Sequence, residues 1–152
     1  MDYRTRFYAW RDDRGMSKQS INELQKLGFQ HVGDFYLKDE RVQFFLTNYR
    51  SSKGSYAFVI NQTVKYIGVT KNKLYTRMSG YRNPGPSQET NKRINPKIVE
   101  AGEVHIYFLP ESEIAKFVTI IRGNGIEKQI STDISTFERF LISMFGPEWN
   151  RE

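Results

Sequence analysis

The chain has 152 residues, 38% of them hydrophobic, 14% aromatic and 26% charged, which fits one folded domain with its own core and excludes wholesale disorder. It contains no cysteine, so disulfides, thiolate zinc sites, iron–sulfur clusters and a cysteine nucleophile are excluded together. Its net charge of +6 is unevenly spread: residues 41–99 hold eleven Lys/Arg against Glu89 alone, whereas the segments on either side are neutral or acidic.

Such a one-sided block points to a polyanionic partner, because neutralising phosphates releases counterions and drives association. The basic residues are interleaved with Tyr49, Tyr56, Tyr66, Tyr75 and Tyr81, which favours nucleic acid over a solvated lysine face. With only two histidines, His31 and His105, a histidine-rich metal site is not expected, and any metal should be a hard cation held by oxygens. No apolar run is long enough to span a membrane, and the start MDYRTRFYAWRDD lacks a signal-peptide core, so a cytoplasmic location and no membrane partner are expected.

In chain order, Ser20 and Glu23 read as a capping box opening the helix INELQKL, which Gly28 closes. DFYL and RVQFFL read as two strands or a strand and a loop, with a helix through 39–49 as the alternative, and SSKG at 51–54 reads as a turn. SYAFVI and VKYIGV read as a hairpin. A three-residue loop, Asn61 to Thr63, would pair Ile60 with Val64 and Phe58 with Tyr66, placing Tyr56 and Tyr66 on one face about 7–8 Å apart; a two-residue loop would separate them.

Asn72 is then positioned to cap a helix, KLYTRMSGYR, in which Leu74, Arg77, Met78 and Tyr81 share the inward stripe. An arginine on that stripe requires a buried partner or a bound phosphate. A helix from about Thr90 to Ala101, interrupted or shifted by Pro96, leads to the strand EVHIYFL, where His105 reads as a strand residue and not a base. The segment 111–131 accommodates a hairpin around Gly123-Asn124-Gly125. The final helix STFERFLISMF carries Phe137, Phe140, Leu141 and Met144 on its apolar stripe, with Glu138 beside it. On local grounds Glu138 is the third helical residue of a capping box begun by Ser135.

Taken together, these residues carry a resemblance to the GIY-YIG nuclease family, most like a small stand-alone restriction-type endonuclease. The first signature stands as Gly54-Ser55-Tyr56 and the second as Tyr66-Ile67-Gly68, followed by a helix with Arg77 and Tyr81. The ending, Glu138, Leu141, Ile142, Pro147, Trp149 and Asn150, resembles the family's glutamate helix and closing Pro-x-aromatic-Asn element. Ser55 departs from the family's isoleucine, and Tyr81 stands where many relatives have histidine.

The resemblance implies an α/β (α+β) fold, a small central antiparallel sheet flanked by helices over residues 54–152, with residues 1–53 an N-terminal extension for dimer contact or DNA recognition. It implies a metal-dependent DNA endonuclease that is site-specific and restriction-type, with catalytic residues Tyr56, Tyr66, Arg77, Tyr81, Glu138 and Asn150. Glu138 would be the one protein ligand of Mg²⁺ (or Mn²⁺), held otherwise by waters and phosphate. Arg77 would clamp the scissile phosphate, and Tyr56 is first choice for activating water, with Tyr66 or Tyr81 placing the phosphate or relaying the proton. An ordinary tyrosine, with a pKa near about 10, needs nearby positive charge for that task. Arg77, Lys73, Lys65 and the metal are the suppliers, and activity should rise between about pH 7 and 9.

Lys65, Lys71, Lys73, Arg82 and Lys92 are the expected backbone contacts to double-stranded DNA, and double-strand cleavage would need a homodimer or sequential nicks. The alternatives are a structure-selective or mobile-element nicking nuclease, and a non-catalytic nucleic-acid-binding module.

Overall fold

The computed structural model describes residues 20–151. Five antiparallel strands make the central sheet: β1 (Gln30–Lys38), β2 (Arg41–Leu46), β3 (Gly54–Ile60), β4 (Thr63–Thr70) and β5 (Glu103–Pro110), in spatial order β2-β1-β5-β3-β4. The helices are α1 (Ser20–Lys26), α2 (Leu74–Arg82), α3 (Glu89–Ala101), a single turn α4 (Glu111–Ile114) and α5 (Ile134–Phe145), with a 3-10 turn over Glu148–Asn150. β6 (Val118–Gly123) and β7 (Ile126–Ser131) form a separate two-stranded ribbon that is mostly exposed. This is the mixed helix-and-sheet class expected, with the sheet antiparallel throughout and the hairpin around Asn124 present.

Alternation along the strands divides the interior into two cores, one on each face. One face presents Phe35, Tyr56, Phe58, Tyr66, Ile106 and Phe108 to Leu74, Met78 and Tyr81 of α2 and to Ile94 and Ile98 of α3. The other presents Ala57, Val59, Ile67, Tyr107 and Leu109 to Leu24 of α1, Ile114 of α4 and Phe137 and Leu141 of α5. Residues 30–46 add β1 and β2 to this sheet, so the helix alternative for 39–49 does not occur.

Local details depart from the sequence reading for identifiable reasons. The β3–β4 loop has two residues, Asn61 and Gln62, both at positive φ as in a type I′ turn, so Ile60 pairs with Thr63 and Val59 with Val64. A bulge in the next step then restores Phe58 opposite Tyr66, and Tyr56 and Tyr66 keep one face with ring centroids 6.4 Å apart. Ser20 lies inside α1, where its hydroxyl accepts a hydrogen bond from the Val64 N–H.

Asn72 does not cap α2. Lys73 is the N-cap, and the Leu74 and Tyr75 N–H groups donate to the carbonyls of Ser52 and Arg50. The turn read at 51–54 is centred on Tyr49 to Ser52, and Gly54 already belongs to β3. Pro96 sits within an uninterrupted α3. Phe140 is exposed, while Phe137, Leu141 and Met144 carry the buried stripe of α5.

Candidate active site

The inward stripe of α2 brings Arg77 and Tyr81 over the face of β3 and β4 that carries Tyr56 and Tyr66. The Tyr56 and Tyr81 hydroxyls lie 2.6 Å apart. Arg77 donates to both, from Nε to Tyr56 at 3.0 Å and from Nη2 to Tyr81 at 2.9 Å, and its guanidinium also lies 4.6 Å from the centre of the Tyr81 ring. Nη1 donates to Asn91 Oδ1 at 2.9 Å. Three of five guanidinium N–H groups are thereby held by described residues, which leaves two with no partner among the described residues.

Asn91 is the residue that sequence reasoning missed. It is 2% exposed, and its amide passes the network on to Gln88 Oε1 at 2.9 Å, which also accepts from the Gly85 N–H. A signal was available: Asn91 is a polar residue on the Ile94 and Ile98 stripe of α3.

Tyr56 can occupy its place because position 68 is glycine. A Cβ there would stand 2.5 Å from both Cζ and the hydroxyl oxygen of Tyr56, far inside contact distance. The glycine of the Tyr66-Ile67-Gly68 run is thus required by close approach of the tyrosine ring opposite it in the ladder.

Burial holds the Tyr56 phenol well above its ordinary range, against the downward pull of Arg77, and the same cause raises Tyr81. The expectation that surrounding positive charge lowers Tyr56 is therefore reversed in the free protein: desolvation outweighs Arg77. Tyr66 is 7% exposed, and among the described residues its hydroxyl has no hydrogen-bond partner.

Glu138 lies on α5, whose buried residues pack on the sheet face opposite the tyrosine cluster. Burial raises its carboxyl, while Lys71 and Arg77 pull it down, which places it within electrostatic reach of both. The capping-box explanation for this residue does not hold. Asp133 is the N-cap and accepts from the Thr136 N–H at 2.7 Å, leaving Glu138 one turn further along, half-buried. No hydrogen bond from a described residue engages its carboxylate, and this fits a metal that takes one carboxylate and otherwise waters and phosphate oxygens.

Asn150 does not join the tyrosine cluster. Its Oδ1 accepts from the Ile67 N–H and its Nδ2 donates to the Ile67 carbonyl, both at 2.9 Å, so it clips the outer edge of β4 beside Tyr66. The expected phosphate-contacting residues also divide. Lys71 and Lys73 are exposed near the start of α2. Lys65 is 3.0 Å from Glu148, Lys92 donates to the Pro86 carbonyl, and Arg82 lies over the Phe44 ring.

No protein-family model matches this sequence, and no curated protein matches it. The fold is similar to that of a bacteriophage T4 EndoII mutant, with a TM-score of 0.59 and 23% identity over 86% of this chain and 97% of that one. It is also similar to restriction endonuclease HPY188I solved in complex with product DNA, with a TM-score of 0.52 and 17% identity over 85% of this chain and 79% of that one. At these identities the likeness is one of fold.

Proposed function

We propose that this protein is a metal-dependent DNA endonuclease of the GIY-YIG type, hydrolysing phosphodiester bonds at a specific site. The observation that carries the reading is the Arg77 fork across the Tyr56 and Tyr81 hydroxyls, with Glu138 within electrostatic reach. Four ordinary structural roles would not require one arginine to join two buried phenols within electrostatic reach of a carboxylate that takes no hydrogen bond from a described residue. The similarity of fold to bacteriophage T4 EndoII and to a restriction endonuclease solved with product DNA supports the same reading.

Each residue has a task. The two uncommitted N–H groups of Arg77 bind the scissile phosphate and stabilise its growing negative charge. Tyr56 first gives up its own proton to solvent, and the Tyr81 hydroxyl at 2.6 Å and Arg77 stabilise the phenolate so formed. The phenolate then takes the proton of the attacking water and returns to the phenol, as the oxygen of that water bonds to phosphorus and the 3′ oxygen leaves. Tyr66 orients the water or the phosphate. Glu138 holds Mg²⁺ (or Mn²⁺), which when bound supplies charge stabilisation to the phosphate and to the leaving 3′ oxygen. Asn150 braces Tyr66 through β4.

Exposed Lys71 and Lys73 follow the DNA backbone, and a palindromic recognition site calls for a homodimer. Digestion of unmodified genomic DNA with Mg²⁺ tests the proposal. Discrete fragments, absent with EDTA and with Glu138→Gln, support it. Salt-sensitive binding without any cleavage of linear or branched DNA contradicts it and leaves a nucleic-acid-binding module.

A further inference from the structure

Both histidines of the chain, far apart in sequence, converge on one carboxylate on the sheet face opposite the tyrosine cluster. His31 Nε2 lies 2.8 Å from Asp34 Oδ1, and His105 Nδ1 lies 2.6 Å from the same oxygen. In a regular strand His31 and Asp34 would point to opposite faces. The register shift in β1 between His31 and Gly33 places both on one face, with Asp34 directly opposite His105 in β5.

We propose that His31, Asp34 and His105 form a binding site for a divalent transition-metal ion, Zn²⁺ first. Two imidazoles and one carboxylate suit a borderline ion and not Mg²⁺, which prefers oxygens. The ligand atoms all lie within 4.8 Å of one another. Tetrahedral ligands at about 2.1 Å from zinc stand about 3.4 Å apart, so the carboxylate oxygen must withdraw by about 0.6–0.8 Å from the two imidazole nitrogens.

The surroundings match those of ligating histidines. The second ring nitrogen of His105, Nε2, is 3.9 Å from Glu103 Oε1, where an outer carboxylate orients the ring and strengthens it as a donor. The His31 ring stacks on Tyr107, with centroids 5.3 Å apart, which limits its rotation. The side chains of His31 and His105 are 47% and 39% exposed, leaving a path for the ion and a fourth position for water. The site joins β1 to β5 and would act as a staple between the N-terminal third and the centre of the sheet.

The test is zinc titration of the full chain against a chromophoric zinc chelator, with stoichiometry and melting temperature as readouts. The wild type should take up one tightly held equivalent and melt higher. His31→Ala, Asp34→Asn and His105→Gln should each weaken uptake by about tenfold or more. Glu138→Gln should bind zinc unchanged, which separates this site from the proposed nuclease centre. His31→Ala alters an exposed side chain, so its loss of zinc uptake with an unchanged metal-free melting temperature reports the site and not the fold. No saturable uptake, or uptake indifferent to all three substitutions, overturns the proposal and leaves a hydrogen-bonded surface triad.

Discussion

The Tyr56 and Tyr81 hydroxyls, from neighbouring layers, meet at 2.6 Å and share one guanidinium, Arg77. One hydroxyl donates to the other, and the planar guanidinium donates to both oxygens at once. Arg77→Lys should therefore cut cleavage by about 10²–10³-fold, since lysine is a single point donor. Stability should fall by about 1–3 kcal/mol as buried acceptors lose partners. DNA binding at low salt should change little. Single-turnover kinetics beside a filter-binding assay checks this, and equal loss of binding and cleavage contradicts it.

Gly68→Ala adds a methyl group 2.5 Å from the Tyr56 ring. The tyrosine or β4 must shift, so a stability loss of about 1–3 kcal/mol in urea denaturation is expected. Cleavage should drop by more than Tyr66→Phe drops it, because the displaced hydroxyl is the one Arg77 holds. Wild-type activity in Gly68→Ala would remove Tyr56 from the mechanism.

Alkaline pH offers a test independent of activity. Burial raises Tyr56 and Tyr81 in the native state. In the unfolded chain they ionise near about pH 10, so below that pH their contribution to stability is intact, and it is lost as pH rises toward the folded values. Above about pH 10 stability should fall by about 1.4 kcal/mol per pH unit for each buried tyrosine. Urea melts from pH 8 to 11 read the slope, and a flat profile contradicts the burial argument. The same shift predicts cleavage still climbing at pH 9 without a plateau.

Glu138 is raised by burial, so its charge opposes folding at neutral pH in the metal-free protein. Glu138→Gln should be the more stable chain without metal. That advantage should shrink as pH falls through the carboxyl's own titration, because the wild type then becomes neutral too. Adding Mg²⁺ should raise the wild-type melting temperature and leave the variant unmoved. Equal Mg²⁺ responses would count against Glu138 as the ligand.

Asn150→Ala removes two hydrogen bonds to Ile67 at the exposed edge of β4. A loss of about 1–3 kcal/mol is expected. Amide exchange along β4 should quicken, and the activity lost should be smaller than with Arg77→Lys. A variant as inactive as Arg77→Lys but equally stable would make Asn150 a catalytic group.

The parts legible in the sequence were those set by periodicity. β-branched and aromatic runs located β3 and β4, alternation located β5, and the spacing of Leu74, Arg77, Met78 and Tyr81 placed the arginine on an inward face. Caps were misread because their donors and acceptors are tertiary: Ser20 serves Val64, and the start of α2 is satisfied by the carbonyls of Arg50 and Ser52. The β3–β4 register was legible only from Phe58 onward, since a type I′ turn plus a bulge yields the same later pairing as a longer loop. Asn91 was visible as a polar interruption of an apolar stripe, but its partner was not. The histidine cluster depends on a bulge in β1 and on pairing with β5, and local spacing contains neither.

The central claim is that a site built from Tyr56, Tyr81, Arg77 and Glu138 hydrolyses DNA. Supercoiled plasmid carrying varied sequence, incubated with Mg²⁺ and either the wild type or Glu138→Gln, tests it most directly, with binding measured on the same DNA. The account predicts nicked or linear product with the wild type only, and comparable salt-dependent binding by both proteins. Cleavage by Glu138→Gln at the wild-type rate would contradict it.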